Sequence, residues 1–298
     1  MCATILADLT QASKSGGRIM AEYSAIEWTD HTFNPWWGCT KISPGCVNCY
    51  AETWANRYGH NIWGKTKGRR LFGQNHWKQP IAWNRKALHE DQRYRVFCAS
   101  MADVFEENTQ LDSERAKLWS LIEDTPQLDW LLLTKRPENM KYMAPWVIWP
   151  QNVWAMTSVE NQKEADLRIP ILIDIPASVI ALSVEPLLDR VDLTPWIDQI
   201  DWVIVGGESG KNARPMHIEW VRELRDLCIE TNTAFFFKQW GKWLPSVPGE
   251  GETLVKYSKN DTDNICYVKS LGKKQAGRIL DGETWDQLPQ VSRELQLA

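Results

Sequence analysis

Seven short runs of apolar and β-branched residues, separated by stretches with helical periodicity, constrain this chain more than anything else in its sequence. They are Thr32 to Trp37, Val96 to Ser100, Trp130 to Thr134, Val153 to Ser158, Val179 to Val184, Trp202 to Gly206 and Ala234 to Lys238. Runs of this kind suit strands buried on both faces, as in parallel sheets built from βαβ units. Between them, Leu111 to Glu123 sets Leu111, Arg115, Leu118, Trp119 and Ile122 near one side of a helix. Trp220 to Ile229 does the same with Trp220, Val221, Leu224, Leu227 and Cys228. From the second run to the seventh, centres recur at roughly 23 to 33 residues, which fits a partial or full (βα) barrel of the TIM type or a doubly wound sheet.

Length and charge narrow the organisation. The 298 residues are 43% hydrophobic and 24% charged with a net charge of −4, which excludes a disordered chain and gives the whole molecule no polyanion-binding signature. Seven cysteines, an odd number with only three clustered, do not make a disulfide framework and imply a reducing compartment. No apolar stretch is long enough to span a membrane, since Asp174 and Pro176 interrupt Ile171 to Leu182. A cytoplasmic location, in a bacterial or phage-infected cell, is expected. Residues 1–22 read as a disordered leader with the native start at Met20, residues 23–244 as the barrel, and residues 245–298 as a small appendage. Within the barrel, residues 57–95 read as a basic insertion.

Function in parallel α/β sheets gathers at the carboxyl ends of strands. Polar groups collect there: Asp103; Lys135 and Arg136; Ser158 and Glu160; Glu185; Glu208 and Ser209; Lys238 and Gln239. The sharpest chemical signal follows the first run, where Cys39, Cys46 and Cys49 place three thiols within eleven residues. Ser43-Pro44-Gly45 is turn chemistry that folds this loop back on itself. Three soft ligands suit a [4Fe–4S] cluster with one iron lacking a protein ligand, or zinc with His31 or His60 as the fourth ligand. Cys98, Cys228 and Cys266 read as small buried hydrophobes.

A three-cysteine loop after the first strand of a (βα) barrel resembles the radical S-adenosylmethionine (SAM) enzymes. More closely, the sequence is similar to a phage-associated three-cysteine-motif family of unassigned function. That similarity is carried by Glu27-Trp28-Thr29-Asp30, Asn34 to Cys39, Pro44 to Glu52, Thr134-Lys135-Arg136-Pro137, Ser183 to Leu187, Gly206 to Gly210 and Gly272 to Arg278. It extends from about Tyr23 to Pro289. The resemblance implies a barrel of the radical-SAM type. It also implies a [4Fe–4S] cluster on Cys39, Cys46 and Cys49 whose open iron binds SAM for cleavage to a 5′-deoxyadenosyl radical. Gly206-Gly207-Glu208 resembles the element that binds the SAM amino group, here after the sixth run rather than the second. Ser158 or Glu160 would meet a ribose hydroxyl, and Lys135, Arg136, Glu185 and Lys238 would act on SAM and substrate. Two departures stand out: six residues instead of three fill the first Cys gap, and Asn48 replaces the usual aromatic.

Local charge is less even than the total. Arg57 to Arg95 holds ten basic side chains against Glu90 and Asp91, with Trp63, Phe72, Trp77 and Trp83 interleaved. Such a mixture suits phosphates and stacked bases, so Lys65, Lys67, Arg69 and Arg70 are candidate nucleic-acid or nucleotide contacts. Alternatively the aromatics anchor an insertion whose charges are solvated. The 18 tryptophans divide in the same way. Trp119, Trp130, Trp154, Trp202 and Trp220 read as core. Trp28, Trp36, Trp37, Trp54, Trp63, Trp77, Trp83, Trp240 and Trp243 are expected to wall a radical site or stack on bases. The functional expectation is radical chemistry on an unknown substrate, a nucleobase or nucleotide being favoured. The alternatives are a zinc-stabilised nucleic-acid-binding protein and an iron–sulfur element serving a partner protein encoded nearby.

Overall fold

The computed structural model describes residues 24–249, 253–259 and 262–291. The expected leader and the Met20 start lie outside the described residues. Strand β1 (His31–Phe33) opens a seven-stranded sheet, but the expected first strand is split. Pro35 offers no N–H to a ladder. Beyond it, β2 (Trp36–Trp37) leaves the sheet and pairs antiparallel with β3 (Arg70–Leu71). Helices α1 (Tyr50–Arg57), α2 (Gln74–Trp77) and α3 (Gln79–His89) complete the long first crossover.

The sheet continues through β4 (Tyr94–Cys98), α4 (Asp112–Glu123), β5 (Leu128–Thr134), α5 (Met140–Met143), β6 (Val153–Ser158), α6 (Gln162–Leu172), β7 (Val179–Val184), β8 (Trp202–Gly206), α7 (Ile218–Glu230) and β9 (Ala234–Gln239). Its spatial order is β1-β4-β5-β6-β7-β8-β9 with every neighbouring pair parallel. Space order follows chain order without reversal, so the sheet winds one way as a partial (βα) barrel and has no doubly wound switch point.

Alternation along the strands sorts two cores. Val96, Cys98, Trp130, Leu132, Ala155, Leu182, Val203, Val205, Phe235 and Phe237 face the helices and pack with Leu118, Ile122, Val221 and Leu224. The intervening residues Phe97, Leu131, Trp154, Met156, Ala181, Trp202, Ile204 and Phe236 line the concave face. Trp28 enters this inner core, 4.7 Å from Phe97 and 6.2 Å from Trp202 between ring centroids, with Ile26 and Val291 packed alongside. The concave face is therefore plugged by aromatic rings at its amino-terminal end.

After β9, β10 (Trp243–Ser246), β11 (Thr253–Lys259) and β12 (Thr262–Ser270) form an antiparallel sheet in the order β10-β12-β11, followed by α8 (Lys273–Ala276). The chain then returns along the free edge of β9. The Phe237 amide donates to the Trp285 carbonyl at 2.9 Å, and the Phe235 amide donates to Gln287 Oε1 at 2.9 Å.

Trp119, Trp130, Trp154, Trp202 and Trp220 are core as read from the sequence, but for most of the second set the stacking role does not survive. Trp28, Trp36, Trp37, Trp63, Trp83 and Trp240 are buried, so they are closed to stacking on bases, while Trp54, Trp77 and Trp243 are half-buried. Burying a large ring stabilises more than any other side chain, and position near a motif does not predict exposure. Cys98 and Cys228 are core residues as read from the sequence, and Cys266 packs against the core half-buried. No helix among the described residues is long and apolar enough to cross a membrane.

Candidate functional site

The thiol loop, residues 39–49, crosses the carboxyl-terminal mouth of the sheet and is held by charged groups from three strand ends. After β5, Arg136 donates to the Thr40 carbonyl at 2.8 Å and lies 3.9 Å from Cys39 Sγ. Asp103, buried in the loop after β4, holds that guanidinium at 2.7 Å and also accepts from Thr134 Oγ1 at 2.7 Å. After β6, Glu160 Oε1 accepts the Gly45 amide at 2.9 Å. A Cβ on Gly45 would come within 3.0 Å of that carboxylate, so glycine permits the approach. After β8, Glu208 accepts Asn48 Nδ2 at 3.0 Å and pairs with Arg214, whose guanidinium also donates to the Pro44 carbonyl at 3.0 Å.

Inside the loop, Ser43-Pro44-Gly45 makes the expected turn as a single 3-10 turn, Pro44–Cys46, closed by the Cys46 amide on the Ser43 carbonyl at 2.9 Å. Cys49 is the N-cap residue of α1, where burial pushes its thiol up and the Glu52 and Ala51 amides oppose that push. All three thiols are unpaired and half-buried. Burial, with the Asp103 charge adding to it and Arg136 opposing, pushes the Cys39 thiol up to about 12. Burial alone would raise the Glu160 and Glu208 carboxyls too. Lys135 and Arg168 hold Glu160 below the usual carboxylate range, and Arg214 and Asn48 do so for Glu208.

A second pair stands on the concave face. Lys238 Nζ lies 3.0 Å from Glu185 Oε1 and 5.9 Å from the centroid of the Trp28 ring. Gly206 makes room for it, because a Cβ there would sit 2.4 Å from Glu185 Oε1. Tyr50, next to Cys49, donates to the Ser100 carbonyl at 2.6 Å, and burial, with the nearby Glu185 carboxylate adding to it, pushes its phenol up. That places the pair and the thiol loop around one mouth. Lys135 Nζ lies 3.6 Å from Glu160 Oε2, and Ser158 is buried with its carbonyl accepting Arg168 at 2.8 Å.

Gly206 and Gly207 are not at positive φ, and close approach of neighbouring atoms is what requires glycine at both. Three readings change here. Arg69 is internal, its side chain 2% exposed and paired with Glu106 at 2.6 Å, and Arg70 stacks on Trp37 at 4.4 Å and contacts His60. The charge of Arg69 is thus spent inside the protein, while Arg70 is half-buried and has no carboxylate partner among the described residues. His31 lies in β1 stacked on Trp83 at 4.2 Å, on the helix-facing side and away from the thiol loop. Among the described residues, no three His, Cys, Asp or Glu side chains converge as a single metal ion demands. Of the chain's own partners for the mouth, Asn48 and Arg214 carry no periodic signal, whereas Arg168 shares the buried helix face of Ala165, Ile169 and Leu172 with Glu164.

The sheet is a partial (βα) barrel with charged groups gathered at its carboxyl-terminal mouth. In fold the chain is similar to a spore photoproduct lyase variant, with a TM-score of 0.50 over 75% of this chain and 80% of that one at 11% identity. A second variant of the same lyase aligns over 86% of this chain and 72% of that one, with a TM-score of 0.46 and 11% identity. No curated protein sequence matches. A family model described as a protein of unknown function, DUF5131, matches residues 23–289, and the chain belongs to that family.

Proposed function

We propose that this protein is a radical-SAM-type enzyme in which Cys39, Cys46 and Cys49 hold a [4Fe–4S] cluster. The observation that carries the reading is the clamping of a loop with three free thiols over the barrel mouth by Arg136, Glu160 and Glu208. Three soft thiolate donors on one loop suit a [4Fe–4S] cluster that leaves one iron open, and among the described residues these thiols do not converge on a single point. The likeness in fold to spore photoproduct lyase, a radical SAM enzyme, supports the same reading. Bound cluster and SAM would supply a carbon-centred radical able to abstract hydrogen from unactivated carbon.

The chain's own groups have separable tasks. Arg136 fixes Thr40 and places a positive charge beside Cys39, while Glu160 and Glu208 spend their carboxylates on the loop. Lys135, Glu185 and Lys238 face the mouth and are the groups available to orient SAM and substrate. The buried rings of Trp28, Trp154 and Trp202 close the floor against water. A nucleobase or nucleotide is the proposed substrate class.

Anaerobically isolated protein is expected to be brown, with iron and sulfide in the ratio of a [4Fe–4S] cluster. Replacing any one of Cys39, Cys46 or Cys49 with Ala should bleach it. Adding SAM and dithionite should then release 5′-deoxyadenosine. Colourless protein with one zinc per chain would overturn the cluster, and an intact cluster without 5′-deoxyadenosine would leave an electron-transfer or structural role.

A further inference from the structure

Beside the mouth, and outside the barrel, a cleft of about 1110 Å³ opens between the basic insertion, the segment before α4 and α5. It reaches Thr40, the neighbour of Cys39, so it leads directly to the thiol loop. Several charges in its lining are already neutralised: Arg69 pairs with Glu106 at 2.6 Å, and Arg115 pairs with Asp112 at 2.5 Å. Lys65 and Lys67 are exposed and make no ion pair among the described residues, against the single carboxylate of Glu107. Asn108 keeps its amide nitrogen uncommitted while its oxygen caps Gln110, and the Gln110 side chain is exposed. Tyr142 is 86% exposed at the edge of the same cleft, its ring resting on no aromatic neighbour among the described residues.

We infer that this cleft binds a single-stranded segment of nucleic acid and delivers it to the mouth. The uncommitted groups are of three kinds, and each matches one part of a nucleotide. Two ammonium groups suit backbone phosphates, two amides suit base edges, and a bare phenol ring suits a base face. At about 1110 Å³ the open cleft has room for a nucleotide together with part of its neighbours, as a strand lying through it requires. Double-stranded nucleic acid is disfavoured because its bases are stacked inside and cannot reach Tyr142. The inference rests on the proposed function only for what is done to the strand once delivered.

Binding is therefore measured on the full chain without SAM or reductant, by fluorescence anisotropy with a labelled oligothymidylate of about a dozen nucleotides. Affinity should fall with salt. The double variant K65A/K67A should flatten the log–log salt slope by about 1.4, the share of two phosphate contacts on a single strand. Y142A should weaken binding about five- to 150-fold with the slope unchanged, and Y142F should restore it. All three side chains are exposed, so the variants keep the fold. No binding at about 50 mM salt, an unchanged slope in K65A/K67A, or equal binding of an oligoglutamate peptide would each overturn the site. Absence of 5′-deoxyadenosine with binding intact would count against the radical reading alone.

Discussion

Gly206 and Gly207 are adjacent and buried, yet they answer to different neighbours. A Cβ at Gly206 would meet the carboxylate of Glu185, the movable end of a side chain, at 2.4 Å. One at Gly207 would meet the Trp240 carbonyl at 2.2 Å, and backbone at a strand end cannot step aside. G206A is therefore expected to cost less than about 1 kcal/mol of stability while displacing Glu185 from Lys238, so turnover falls with the fold kept. G207A is expected to cost about 3 kcal/mol, the upper end of overpacking. Urea titration of both variants decides it; equal losses would show that the two glycines share one role. Both glycines can be read from the sequence as special. Which neighbour makes each special cannot, because Glu185 and Trp240 are brought there by other strands.

At the scale of elements, the strands from β4 to β9 were readable because parallel strands buried on both faces must be continuously apolar. The first strand was not, since Pro35 cuts a run whose second half pairs with residues 70–71, a partner no local pattern announces. Attachment of the appendage was equally illegible. Asp281, at positive φ, accepts Arg222 and Arg225 of α7 and so ties the returning chain to that helix. Chiefly the Arg222 hydrogen bond, with Arg225 adding to it, lowers the Asp281 carboxyl to about 2. A carboxylate depressed in the folded state stabilises above its ordinary range and loses that contribution as pH falls through the folded value. Hydrogen exchange across residues 280–287 should thus be protected at about pH 5 and released towards about pH 2. In D281N the protection should already be weak at the higher pH. Identical exchange in both proteins would remove the clasp from the account.

For the whole molecule, a barrel left open must manage two edges and an exposed inner face. The β1 edge is managed by shortness, three residues long. The β9 edge is covered by the chain at 285–287, and the inner face is filled from both ends of the described chain by Ile26, Trp28 and Val291. Truncation after Arg278 is expected to bare the Phe235 and Phe237 amides and the ring of Trp202, whose indole N–H now donates to the Gln287 carbonyl at 2.9 Å. Light scattering should then show higher-order species at concentrations where the full chain is monodisperse. Unchanged scattering with an unchanged melting temperature would mean the edge needs no cover.

The sequence by itself determined the layer architecture, the turn in the thiol loop and the strand ends at which charge gathers. Those features depend on side-chain periodicity and on residues only a few positions apart, where chain connectivity fixes the geometry. Only the tertiary structure decided what the charges do. Glu160 and Glu208 hold the loop, Arg69 is neutralised inside, and most of the tryptophans near the motifs are core. Each outcome depends on a partner tens to more than a hundred residues away, as Gly45 and Glu160 are, and no local pattern records which distant group will satisfy a buried charge.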